Sequence, residues 1–135
     1  MTGITGAGLP DAGTEDAAYG VIAELLGRWQ RAFDDHRTAD LVSLFTEDAL
    51  FQGISPRLLV GPAGIFGYYD DVAEGARAAS VEVLRANPLC DGIVGGFADV
   101  TFTSRTGENT PIRLSVVAQR CEGTWRIRQY HAAAR

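Results

Sequence analysis

Residues 111–131 read PIRLSVVAQRCEGTWRIRQYH, and this stretch decides the fold. Ile112, Leu114, Val116 and Ala118 alternate with Arg113, Ser115, Val117 and Gln119, the period of a strand with one buried face. Glu122-Gly123 interrupts the run with a tight hairpin turn. Thr124 to His131 is then the returning strand. Upstream, Ile93 to Ser104 is a long strand-like run holding Phe97, Val100 and Phe102, closed by the turn Thr106-Gly107-Glu108-Asn109. Ser80 to Ala86 alternates and is expected to stop before Asn87-Pro88, because proline breaks a hydrogen-bonded ladder. Four strands joined by short turns make an antiparallel meander.

The first half of the chain reads differently. Ala18, Val21, Ile22, Leu25, Leu26, Trp29 and Phe33 recur at helical spacing, with Thr14 as N-cap and Glu15 and Asp16 at the positive end of the dipole. A short second helix is expected from Thr38, with Leu41, Leu44 and Phe45 inward. Ala49 to Gly53 reads as a short strand and Ile54 to Gly61 as a loop. Pro62 opens a third helix whose inward stripe is Ile65, Tyr68, Tyr69 and Val72. Helices followed by a meander imply an α+β fold: about three helices packed on a curved antiparallel sheet. Residues 1–14, rich in Gly and Thr, are expected to be a flexible tail, and 15–135 a single domain.

Composition narrows the function. The 135 residues carry a net charge of -5, which excludes the basic stripe of a nucleic-acid partner. All 12 basic residues are arginine, so lysine Schiff-base chemistry has no residue to work with. Cys90 and Cys121 lack metal or redox spacing and read as small buried hydrophobes. His36 and His131 are the only histidines, so no metal site and no cofactor are expected. Asp70 and Asp71 are adjacent and point apart on a helix, and no serine has the setting of a nucleophile. No stretch reads as a membrane span or secretory signal, so a cytoplasmic protein is expected.

Strand alternation also nominates a site. If Trp125 and Ile127 face the core, Gln129 and His131 fall on the same inner face, and Arg126, Arg128 and Tyr130 point outward. An imidazole turned into an enclosed site can move a proton near neutral pH, which makes His131 the candidate catalytic residue. Gln52, Tyr68, Tyr69 and Gln129 are candidate ligand contacts, with Trp29, Phe33 and Phe51 as apolar wall. The plain alternative for His131 is an exposed side chain near the end of the last strand.

The frame Leu44-Phe45-Thr46-Glu47-Asp48-Ala49, then Phe51-Gln52-Gly53, Val60-Gly61, Tyr68-Tyr69-Asp70 and Trp125 to His131 resembles the nuclear-transport-factor-2-like, or SnoaL-like, superfamily. The Phe-Gln-Gly strand and Tyr-Tyr-Asp helix look most like the small conserved proteins of enediyne antibiotic gene clusters in actinomycetes. That resemblance implies a cone-shaped fold with an apolar pocket and a homodimer built through the sheet. It also implies a role beside an iterative polyketide synthase, binding a polyketide intermediate. Cyclisation or isomerisation by proton transfer is one reading. A non-catalytic polyene carrier or a dimeric interaction partner of the synthase is the other. The isomerases of this fold place a base Asp on the first strand; Gln52 and Gly53 stand there here, so that mechanism does not carry over.

Overall fold

A computed structural model describes residues 13–135. The expected tail, residues 1–14, lies almost wholly outside them. The helix α1 (Glu15–Asp34) starts where Thr14 accepts a hydrogen bond from the Ala17 N–H at 3.0 Å. Its apolar stripe, Ala18 to Phe33, is buried as the spacing requires. The short helix α2 (Thr38–Val42) buries Leu41 and Val42. Phe45 then begins strand β1 (Phe45–Gln52) rather than ending the helix, and β2 (Leu59–Val60) forms inside the expected loop. The helix α3 (Gly61–Gly75) buries Ile65 and Tyr69.

The meander follows as β3 (Ala76–Cys90), β4 (Ile93–Ser104), β5 (Asn109–Cys121) and β6 (Thr124–Ala134). Strand β3 runs on through Pro88, past the expected stop. It can, because the sheet order is β2-β1-β6-β5-β4-β3 and an edge strand has an unpaired side on which a missing N–H costs nothing. Cys90 is therefore exposed at that edge and Cys121 is half-buried, so neither is the core residue expected. Glu122 and Gly123 both have positive φ, at 52° and 82°, the conformation a two-residue hairpin needs for strand twist. The sheet is mixed: β1 lies parallel to β6, and all other neighbours are antiparallel.

The helices cover one face, with α1 across β3 and β4 and α3 against β1. Between them lies one core that carries a cluster of aromatic rings. Trp29, Phe33, Phe45, Phe51, Tyr69, Phe102 and Tyr130 meet at centroid distances of 4.5 to 6.4 Å. Among the described residues no helix is long and apolar enough to cross a membrane.

Candidate functional site

The site is governed by an irregularity in β6. Trp125 and Ile127 are buried, as alternation predicts. Then the register with β5 slips: Ala118 pairs with Ile127, while Val117 pairs with Gln129. Arg128 is the extra residue, a β-bulge whose side chain reaches Asp48, at 3.1 Å from its carbonyl oxygen and 3.5 Å from its carboxylate. One inserted residue moves every later side chain to the opposite face. Tyr130 and Ala132 turn inward; Gln129 and His131 turn out and are exposed. The expectation that His131 and Gln129 face the cone is thereby corrected.

Tyr130 is the residue the sequence reading misplaced. It is 2% exposed and stacks on Phe51 with centroids 4.5 Å apart and planes 11° from parallel. Its hydroxyl shares a hydrogen bond with Tyr69, which in turn accepts the Trp29 indole N–H at 2.9 Å. Burial holds the Tyr69 hydroxyl well above its ordinary pKa, and the neighbouring Tyr130 pushes the same way. Burial likewise raises Tyr130, against the opposing hydrogen bond from Tyr69. Tyr68 is raised by burial too, partly offset by the Ile54 N–H, which donates to its hydroxyl at 2.9 Å. All three are therefore neutral donors at physiological pH, not bases.

Gly53 makes this arrangement possible. The Tyr68 hydroxyl and ring edge occupy the place where a side chain at residue 53 would begin, so only glycine lets the ring cross the end of β1. Tyr68 and Tyr69 then wall an open hollow of about 170 Å³ at the mouth between α3 and the sheet, lined also by Ile54, Val72, Phe102 and Thr110. Trp29 and Phe33 lie behind this mouth and fill the interior. Both expected tyrosines meet there. Phe102 is an addition to the hollow and Tyr130 to the core behind it; the signal for Tyr130 was present, because Trp125, Ile127, Tyr130 and Ala132 form one apolar face only if alternation switches parity once.

The remaining candidates gather elsewhere. Gln52 pairs with His131, and His131 with Ser115, across the outer face. Gln52, Gln129 and His131 border a groove of about 230 Å³ with Leu50, Leu58 and the edges of Phe51 and Tyr130. The eight candidates thus divide between two faces of one sheet. Among the described residues no three His, Cys, Asp or Glu side chains converge on one point.

A small cone of three helices on a curved mixed sheet, with a tyrosine-lined mouth, defines the class of protein. The chain belongs to the SnoaL-like domain family, whose model matches residues 22–134. It is similar in structure to Aln2 from a Streptomyces species, at 21% identity over 86% of this chain and 89% of that one, with a TM-score of 0.71. An NTF2-like protein of unknown function from Pseudomonas putida shares 18% identity over 91% and 90% of the two chains, TM-score 0.74. A ketosteroid isomerase-like protein from Erwinia carotovora atroseptica shares 18% over 86% and 95%, TM-score 0.71. No curated protein matches the chain. These likenesses establish the fold; function must be argued from the site.

Proposed function

We propose that the protein binds an apolar, oxygen-bearing polyketide-type molecule at the mouth of the cone, as an accessory to enediyne or related antibiotic biosynthesis. The observation that carries this is Tyr68: a half-buried, protonated hydroxyl that accepts the Ile54 N–H and keeps its own proton to donate, beside an apolar hollow walled by the Tyr69 ring and backed by stacked rings. Small-molecule sites combine apolar walls with a few convergent polar groups in this way. The hollow is smaller than the roughly 300–1,000 Å³ of a full ligand pocket, so it receives one end of an extended molecule. With His131 on the far face, the binding reading is favoured over proton transfer by that imidazole. A second reading keeps chemistry: the neutral Tyr68 hydroxyl can stabilise negative charge growing on a substrate oxygen during cyclisation or isomerisation.

The outer face supports the homodimer. Phe97 is 50% exposed at the middle of β4, and Leu50, Leu58 and Leu89 are exposed on the same side or its edges. Apolar area of this kind marks an association surface. Phe97→Arg should then convert a dimer to a monomer in sizing with light scattering. For the ligand, titration with a conjugated polyene should quench tryptophan fluorescence, equally at pH 6 and pH 8. Tyr68→Phe and Ile54→Trp should each weaken it at least tenfold. Quenching that survives Ile54→Trp unchanged rejects the mouth as the site.

A further inference from the structure

The two flanks of α1 differ in a way the cone does not explain. One flank is sealed onto β3: Gln30 donates to the Ala79 carbonyl at 2.8 Å, Asp34 accepts the Ala79 N–H at 2.9 Å, and Tyr19 reaches the Val83 carbonyl at 3.5 Å. The other flank is open. Gly20, Glu24, Arg28 and Arg31 follow one another along it at helical spacing, all exposed. Two hollows run beside this flank and meet at Arg28. The first, about 310 Å³, has Val21, Leu25 and Trp125 as its apolar wall. The second, about 280 Å³, is polar and is lined by Arg28, Arg31, Arg37, Ser43 and the carboxylate of Asp40.

The charges are uneven. Arg37 is held by Asp40 at 3.1 Å and by Asp35 at 3.6 Å. Arg28 and Arg31 enter no ion pair among the described residues, in a chain whose net charge is -5. Two unpaired guanidinium groups match a carboxylate or phosphate, which arginine binds through two parallel N–H donors; the Ser43 hydroxyl is already given to the Asp40 carbonyl at 2.6 Å, and Arg37 offsets the Asp40 carboxylate. At the other end the largely buried Trp125 ring forms part of the apolar wall, with the Arg120 guanidinium 5.6 Å from its centroid. Glu24 stands beside the apolar hollow. Its carboxylate repels an anion there and so sets the direction of a ligand with one charged end. Gly20 leaves the apolar hollow open: a Cβ added there meets nothing within 4 Å.

We infer that this open flank is a second binding site, separate from the cone mouth, for an amphiphilic oxyanion. The apolar tail lies over Val21, Leu25 and Trp125, and the head sits between Arg28 and Arg31. Gly20 and Arg31 are separated by roughly 16 Å of helix at 1.5 Å per residue, the span of a medium-length acyl chain with its head. The inference does not depend on the proposal for the cone.

Calorimetric titration tests it, with dodecanoate, dodecyl phosphate and dodecanol as probes below their aggregation limits. Both anions should bind, and dodecanol at least tenfold more weakly. The stronger of the two anions identifies the head as carboxylate or phosphate. Arg28→Gln combined with Arg31→Gln should cost at least tenfold for the anions and leave dodecanol unchanged. Gly20→Leu should abolish tail binding while keeping or raising Tm, because leucine is the better helix former and the space around it is empty. Tyr68→Phe, which should weaken polyene binding at the cone mouth, should leave the affinities of the two anions at this flank as they are. No binding of either anion, equal binding of dodecanol, or wild-type affinity in Gly20→Leu or the double arginine variant overturns the proposal.

Discussion

Tyr130 and His131 are neighbours in sequence on opposite faces of the same strand. Tyr130 is enclosed by Phe51, Tyr69, Phe45 and Trp29. His131 is exposed beside Gln52 and Ser115 on the outer face. The inner face spends its polar groups on each other, in a short chain from the Trp29 indole through Tyr69 to Tyr130. The outer face pairs charges at its surface, Arg113 with Asp99 and Arg128 with Asp48, and leaves Gln129 and His131 exposed. In this chain, then, residue type does not tell where chemistry sits; the parity of one strand does.

Mutation measures the difference directly. Trp29→Ala removes the ring that touches Phe33, Tyr69, Phe102 and Tyr130. It should lower stability by about 3–5 kcal/mol in urea unfolding, the usual loss for a buried aromatic. A loss under about 1 kcal/mol would mean that the inner face is not the stabilising one. Tyr69→Phe keeps the ring but deprives the buried Trp29 N–H of its acceptor. About 1–3 kcal/mol should follow, and Trp29→Phe in the same background should recover part of it, since both partners are then gone.

Alkaline titration separates the faces by charge. Tyr68, Tyr69 and Tyr130 have folded pKa values raised above the unfolded value of 10.0. The unfolded chain therefore releases these protons first. The stability they contribute is complete below pH 10 and declines as pH rises from there towards the folded values. Unfolding followed against pH should show this fall, and Tyr130→Phe should flatten it. The smallest effect is expected at the outer face: His131→Ala should change stability by less than about 0.5 kcal/mol and leave polyene quenching as it was. A large loss of binding there would return the imidazole to the cone's chemistry.

Much of this was legible in residues. The stripe from Ala18 to Phe33, the Thr14 cap, the Glu122-Gly123 turn and the inward Ile65, Tyr68 and Tyr69 all follow from spacing and local conformation. Those signals are local, and local forces set them. The places that misled were of another kind. Phe45 left the expected helix to pair with Ile127, eighty-odd positions on, and Pro88 stayed in a strand because that strand has no neighbour beyond it.

The sequence alone determined which elements form and which apolar residues seek the interior, because periodicity and burial act over a few neighbours. Only tertiary structure decided that Arg128 would bulge to meet Asp48, and with it which of two adjacent residues faces the cone. A strand reads the same in either parity until another strand fixes its register, and for β6 that partner lies on β5 and β1 together.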